Sequence, residues 1–156
     1  NASAIEDLEK AVDLSPNDVS LRVALALNLD RELRVDEAMD CLKRALDVDP
    51  SHVGARLQYG KQLANANNID KSKEQYVELL RLNPDHPGAL EHLAGIGMGN
   101  DDGNRVLSDQ IQQALSKAPR KNAARPTLHF AAARIAEHLG QGKLFVRAPD
   151  PGMGNG

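Results

Sequence analysis

Five histidines and one cysteine are the side chains of this 156-residue chain best suited to bind a metal ion or to act in catalysis. Two ligands share one face of a helix when they lie four residues apart. The histidines lack this spacing, because His86 and His92 are six residues apart and His129 and His138 are nine apart. His52 and His86 occupy equivalent positions, since each follows a proline by two residues. The sequence therefore predicts no metal site and assigns this last pair to a repeated structure.

Motifs for nucleophilic catalysis and phosphate binding are also missing from the sequence. Cys41 lies between Asp40 and Leu42 with no histidine nearby in the sequence, which predicts a packed or half-exposed thiol. The glycine-rich segment 95–99 would cradle a phosphate only between a strand and a helix N-terminus, and we predict instead that it ends a helix and begins a turn. There is no Gly-x-Ser-x-Gly elbow and no Gly-Lys-Ser/Thr loop. We therefore expect that this chain is not an enzyme by itself and binds no cofactor.

The composition favours helices. Aromatic residues make up 3% of the chain, whereas β-sandwiches and barrels draw heavily on them. A single cysteine excludes an internal disulfide framework. No apolar run approaches the roughly 18 residues of a membrane span, and no N-terminal stretch has the pattern of a signal peptide. We expect a soluble, cytoplasmic protein with no membrane partner.

Charge is distributed unevenly along the chain. Residues 1–102 carry 19 acidic and 11 basic side chains, a net charge of −8, and residues 103–156 carry 3 acidic and 8 basic ones, a net charge of +5. This asymmetry fits either chance variation over solvated helix faces or a basic C-terminal end that meets an anionic partner. Because no run of Lys and Arg contains interleaved aromatic residues, we expect no nucleic-acid partner.

A 34-residue internal period determines the elements that position these side chains. Pro16, Pro50 and Pro84 follow one another at this interval, and Pro119 follows at an interval longer by one residue. Similar residue types recur twelve, eight and five residues before the first three prolines: Ala4, Ala38 and Ser72; Leu8, Leu42 and Tyr76; Ala11, Ala45 and Leu79. Since proline cannot continue a helix, each proline predicts the end of one.

A large residue followed by a small one recurs earlier in each repeat. The three pairs are Leu25-Ala26, Tyr59-Gly60 and Leu93-Ala94. A small residue lets a neighbouring helix approach closely and leaves room for a bulky side chain opposite. We therefore predict that Ala26, Gly60 and Ala94 are buried where two helices meet.

This pattern resembles the tetratricopeptide repeat, a family of paired antiparallel helices with a 34-residue unit, over residues 3–119. The resemblance implies an all-α fold, a right-handed α-solenoid of antiparallel helix pairs with about eight helices. The departures are Ser72 and Leu107 at positions that are usually small, and the lack of tryptophan. We predict helices at 3–14, 18–31, 35–47, 52–66, 69–82, 87–97, 104–117 and 125–139. Predicted caps or first-turn acids are Asp36, Ser51, Asp70 and Asn104.

These helices predict two regions, a tetratricopeptide-like domain at 1–139 and a loosely ordered Gly/Pro-rich tail at 140–156. Residues 3–14 and 125–139 each correspond to half of a helix pair, so we expect the chain to be a fragment of a longer protein. Their apolar stripes are expected to be uncovered until a second copy, the rest of the protein or the tail buries them. The stripe residues are Ile5, Leu8 and Val12 at one end, and Leu128, Ala132, Ile135 and Leu139 at the other.

In tetratricopeptide proteins, the first helix of each pair lines a concave groove that binds an extended peptide or a partner helix. Helical spacing from the large-small pairs predicts the groove residues of this chain: Val23, Leu27, Asp30, Arg31, Leu57, Lys61, Asn65 and Glu91. The family's basic clamp on chaperone tails needs Lys and Asn where this chain has Val23 and Leu27, which argues against that ligand. The alternative is that these residues only solvate a helix face.

The segment 125–140 has a narrower resemblance, to the stretch that closes the repeats in bacterial tetratricopeptide sulfotransferases. Two functions therefore follow from the sequence. The first is a protein-interaction scaffold that binds a peptide or a partner helix. The alternative is the N-terminal repeat region of a larger bacterial enzyme, such as a sulfotransferase, which positions substrate or forms a homodimer.

Overall fold

A computed structural model of the chain describes residues 2–118 and 124–140, and every regular element within these ranges is an α-helix. The predicted all-α fold is therefore confirmed, and most helix ends lie within one residue of the predicted ones. The tail predicted at 140–156 lies outside the described residues, apart from Gly140. The helices are α1 (Ala2–Leu14), α2 (Val19–Arg31), α3 (Val35–Val48), α4 (Val53–Asn65), α5 (Ile69–Leu82), α6 (Pro87–Ile96), α7 (Asp101–Lys117) and α8 (Arg125–His138).

The helices form two compact units, residues 1–83 and 84–156. In the first unit, α1 to α5 pack in chain order, each on the next, and α2 also touches α4. In the second unit, α6, α7 and α8 all contact one another, and α6 packs more extensively on α8 than on α7. The C-terminal end of α6 lies against the end of α8, because a Cβ added to Gly97 would be 3.2 Å from the His138 ring.

The helices α2, α4 and α6 begin with the same kind of cap at 34-residue intervals. The Asp18 carboxylate and the Nδ1 atoms of His52 and His86 each accept the backbone N–H three residues further on, at 3.1, 3.0 and 3.2 Å respectively. The predicted cap Ser51 is wrong by one position. Its hydroxyl donates to Asp49 at 2.6 Å, which leaves the following histidine to cap α4.

Helix α7 begins at Asp101, three residues before the predicted start. Gly97, with φ +68°, ends α6, and Asn100 caps α7 through its side-chain oxygen. The predicted cap Asn104 is wrong, because it lies inside the helix. It is buried there, and its Oδ1 accepts the backbone N–H of Met98 at 2.9 Å, which fixes the turn between the two helices.

The turns that follow α2 and α4 use the same backbone conformation. Leu33 and Asn67, at equivalent positions of successive repeats, have φ values of +61° and +58°, and Gly140 after α8 has +66°. A residue in this left-handed region reverses the chain at the C-terminal end of a helix. The helices that follow these first two turns carry Asp36 and Asp70 in their first turns, as predicted.

The three small residues predicted at close helix contacts are all buried, so the predicted repeat register is confirmed. In the α4–α5 pair, a Cβ added to Gly60 would lie 2.8 Å from Cε1 of Tyr76. The Ser72 hydroxyl donates to the Gly60 carbonyl at 2.8 Å in the same contact. The equivalent residues of the α2–α3 pair are Ala26 and Leu42, so a larger side chain on one helix is matched by a smaller one on the other.

The apolar stripes of α1 and α8 are not uncovered, contrary to expectation. Ile5 is 3% exposed, and Leu8 and Val12 pack partly against the core of the first unit. On α8, Leu128 and Ile135 are 2% and 1% exposed. The periodicity identifies the apolar face of each helix, but it does not tell which helices cover that face. Helix α2 covers the face of α1, and α6 and α7 cover the face of α8.

We predict that Gly60→Ala destabilises the protein by about 1–3 kcal/mol, because the added methyl group overlaps the buried Tyr76 ring. Adding Tyr76→Leu reproduces the Ala-Leu pair of α2–α3 and should recover most of the loss. Gly95→Ala is the matched control, since nothing lies within 4 Å of its added Cβ, and it should stabilise by about 0.5–1 kcal/mol. Urea unfolding of the wild type, the three single variants and the double variant measures these changes, and strictly additive effects of Gly60→Ala and Tyr76→Leu would contradict the assignment.

A second prediction exchanges the two turn residues. Leu33→Asn should stabilise the protein by about 0.5–1 kcal/mol, because a left-handed backbone is costly for leucine and tolerated by asparagine. The reciprocal change Asn67→Leu should destabilise it by a similar amount, since that turn has the same φ. Thermal unfolding measures both, and shifts of the same sign would show that backbone strain does not decide these positions.

Candidate functional site

Two of the five histidines have a structural role in the described ranges, as helix caps. No group of three or more His, Cys, Asp or Glu residues there is placed to hold a metal ion. His52 and His86 cap helices, so their ring nitrogens accept backbone hydrogen bonds. Burial raises the pKa of the Cys41 thiol, while the charges of Arg22 and Arg44 lower it less strongly, so the thiol is not activated as a nucleophile.

The predicted groove residues of the first unit occupy two helices that touch. On α2, Val23, Leu27 and Asp30 are half-buried and Arg31 is exposed. On α4, Leu57 and Lys61 are half-buried and Asn65 is exposed. Helix α2 contacts α4, and we call these predicted groove residues of the two helices together the α2–α4 face.

The α2–α4 face carries both apolar and charged side chains. Val23, Leu27 and Leu57 expose part of their side chains, although Val23 also packs against the core of the unit. Lys61 adds a positive charge on α4, and Asp30 adds a negative charge near the end of α2. Such a mixed surface suits a ligand that offers apolar side chains together with charged groups.

Two arginines fix the turns that lead into these helices. Arg22 donates from Nε and Nη2 to the carbonyl of Pro16 at 3.0 and 2.6 Å, and the equivalent Arg56 donates to the carbonyl of Pro50. Arg56 also reaches from α4 to α5, where its Nη1 donates to Oε1 of Gln75 at 2.9 Å. The Arg56 side chain therefore bonds both the turn before α4 and the neighbouring helix α5.

In the second unit the structure adds one residue that the sequence reasoning missed. The predicted Glu91 lies half-buried on α6. Phe130 on α8 is 58% exposed, an unusual state for a large aromatic side chain. It precedes the left-handed Gly140 by ten residues, the same offset that separates Val23 from Leu33. Counting ten residues back from Gly140 would have identified Phe130. Counting forward from the earlier repeats in steps of 34 residues did not.

None of the described helices has both the length and the apolar character needed to cross a membrane.

Comparison with solved structures identifies the fold as that of tetratricopeptide repeat proteins. The chain is similar to MamA from AMB-1, with 20% identity and a TM-score of 0.66 over 93% of this chain and 76% of that one. It is similar to a tetratricopeptide repeat protein from Parabacteroides merdae ATCC 43184, with 17% identity and a TM-score of 0.70 over 90% and 56%. It is also similar to YrrB, described as a tetratricopeptide repeat protein with an unusual peptide-binding site, with 16% identity and a TM-score of 0.63 over 85% and 75%. No protein-family model matches the sequence, and no curated protein does.

These likenesses confirm the predicted class of fold, an all-α helical repeat of the tetratricopeptide type. At identities of 16–20% they establish the fold alone. The ligands and partners of the compared proteins therefore say nothing direct about this chain.

The cap formed by His86 makes stability depend on pH in a defined direction. Burial lowers the pKa of this histidine from its usual 6.5, and only the unprotonated Nδ1 accepts the N–H of Ala89. The unfolded chain therefore takes up the proton first, so the stabilisation is complete above about pH 6.5 and decreases as the pH falls below it. We predict that His86→Asn, which keeps a capping oxygen but does not titrate, loses less stability than wild type between pH 7.5 and 5.

Chemical unfolding at several pH values tests this prediction, with His86→Ala as the comparison. The alanine variant lacks the acceptor at every pH and should be less stable than His86→Asn throughout. Identical pH dependence of the wild type and His86→Asn would show that the cap does not titrate with folding.

Proposed function

We propose that the chain is a protein-interaction module whose α2–α4 face binds an extended peptide. The observation that carries this proposal is the contact between two helices that each carry half-buried apolar side chains and charged side chains at the predicted groove positions. The half-buried apolar residues Leu27 and Leu57 supply the remaining area to bury, and Lys61 supplies a partner for a carboxylate. The tetratricopeptide fold, and the peptide-binding site stated for YrrB, support a role of this kind.

The proposed ligand has a definite chemistry. Two apolar side chains of the peptide pack on Leu27 and Leu57, and an acidic side chain pairs with Lys61. Asp30 and Arg31 are neighbouring residues of opposite charge at the end of α2. They favour a peptide segment of low net charge next to this end of the helix. The basic clamp for a free C-terminal carboxylate is not expected, because Val23 and Leu27 are apolar.

The alternative function, a repeat region that serves a larger enzyme, gains no support from the named structural neighbours, none of which is described as an enzyme. The predicted homodimer also loses its main argument. That argument depended on uncovered apolar stripes, and the structure buries Ile5 and Ile135 within their own units. The scaffold is therefore the function that the site supports best.

A peptide-display selection against the wild-type chain tests the proposed site. We predict that selected peptides bind the wild type and lose at least about tenfold in affinity for Leu27→Glu and for Lys61→Glu. The first substitution removes an apolar contact and the second reverses the charge. Val77→Glu is the matched control, because Val77 is a 45% exposed apolar residue of the same unit on α5, and it should bind like wild type.

Far-UV circular dichroism of each variant separates loss of the site from loss of the fold. Peptides that bind the two groove variants and the wild type equally would place the binding surface elsewhere. A selection that enriches no peptide would contradict the proposal.

A further inference from the structure

Leu33, in the turn between α2 and α3, is a leucine at a position that suits this residue type poorly. Its side chain is 85% exposed. Its backbone has φ +61°, in the left-handed region that is costly for a residue with a Cβ and least so for asparagine and aspartate. The contact of an apolar side chain with water and the strain of the backbone therefore both act against a leucine here.

The exposure is a property of this turn position and does not depend on the place of Leu33 early in the chain. Asn67 occupies the equivalent position after α4, with φ +58°, and it is exposed although a complete helix pair, α2 and α3, precedes its repeat. Gly140 after α8 is also left-handed and exposed. Two of these three turns therefore use residues that tolerate the backbone, and only the first holds a large apolar side chain.

Hydrogen bonds fix the backbone of the turn that carries Leu33. The N–H of Leu33 donates to the Asp30 carbonyl at 3.0 Å, and the next N–H, of Arg34, donates to the Leu29 carbonyl at 2.9 Å. These are the two hydrogen bonds of a Schellman motif. The Arg34 guanidinium also donates to both carboxylate oxygens of Glu37 on α3, each at 2.6 Å. A side chain on such a constrained turn loses little backbone freedom when it packs against a ligand.

Leu33 lies beside one end of the α2–α4 face. Arg31, the last residue of α2, precedes Leu33 by two residues, so their Cα atoms are at most about 7.6 Å apart. Leu27 precedes Arg31 by four residues, which is about 6 Å along the helix axis. An extended peptide advances about 3.3 Å per residue, so about four of its residues span the distance from Leu27 to Leu33. One bound peptide is therefore long enough to contact both leucines.

We propose that Leu33 determines specificity for the peptide of the proposed function, by packing against a third apolar side chain of that peptide. This side chain lies beyond the segment of low net charge that Asp30 and Arg31 favour. The inference rests on the proposed function, because it extends the same site past the end of α2. Binding accounts for a leucine that neither water nor the backbone favours, since functional positions retain residues that lower stability.

The test measures, by fluorescence anisotropy, the affinity of peptides selected on the wild-type chain. We expect Leu33→Asn to weaken binding about five- to tenfold, because it removes an apolar contact. The same substitution is expected to stabilise the fold by relieving the strained backbone, so the loss of affinity does not come from unfolding. Leu33→Met keeps an apolar side chain of similar volume and should bind within about twofold of the wild type.

Leu14→Asn is the matched control variant. Leu14 is also a leucine that is 85% exposed, and it ends α1. It precedes the start of α2, whereas Leu33 follows the end of that helix. The 13 residues of α2, about 20 Å in length, separate the two leucines. Leu14→Asn should therefore bind the selected peptides like the wild type.

A double-mutant cycle assigns the contact within the peptide. Each apolar residue of a selected peptide is replaced in turn by alanine, and its affinity is measured for the wild type and for Leu33→Asn. One replacement should weaken binding to the wild type but cost little with Leu33→Asn, because the contact is already lost there. A cycle in which every replacement costs the same with both proteins would overturn the inference.

The remaining results separate this inference from the proposed function. Unchanged affinity of Leu33→Asn, together with weaker binding by Leu27→Glu, would overturn the role of Leu33 and leave the α2–α4 face as the binding site. Equal losses for Leu33→Asn and Leu14→Asn would also overturn it, because exposed apolar area would then act regardless of its position. A selection that enriches no peptide would contradict the proposed function, and this inference would fail with it.

Discussion

The close approach of paired helices at one small residue is the constraint on which the rest of the structure depends. At Gly60 the backbone of α4 comes so near to α5 that a Cβ would overlap the Tyr76 ring, and the Gly60 carbonyl is bonded by the Ser72 hydroxyl. Because buried volume is conserved in a packed contact, a change on one helix requires a matching change on the other. The α2–α3 pair satisfies the same constraint with Ala26 and Leu42. The 34-residue period therefore repeats the close contact between two helices, while the residues that form the contact differ.

The repeat also gives structural roles to two of the titratable residues, His52 and His86. Each pair needs a cap where its first helix begins and a left-handed residue where it ends. Asp18, His52 and His86 provide the first, and Leu33 and Asn67 provide the second. The two histidines that share a 34-residue spacing therefore lie at helix starts in successive pairs, where their ring nitrogens accept backbone N–H groups.

The fold could be predicted from the sequence to within a residue or so at most helix ends, because proline spacing and small residues are local signals. The start of α7 could not, since Asn100 and Asn104 are of the same residue type and both suit a cap, whereas in the structure Asn100 caps the helix and Asn104 lies inside it. The covering of the end stripes could not be predicted either. Periodicity shows that Ile5 belongs to an apolar face, whereas the neighbour that buries it is a property of the packed helices. The position of the binding surface also depends on how the helices pack, so the sequence alone does not determine it.

Identical apolar stripes cannot by themselves determine which helices pack together. Ala4, Leu8 and Ala11 repeat the types found in Ala38, Leu42 and Ala45 of α3, so a helix that fits one stripe also fits the other. Within the folded chain, the short turn at residues 32–34 places α2 against α3. The connection along the chain, and not the stripe alone, therefore decides which helices pair.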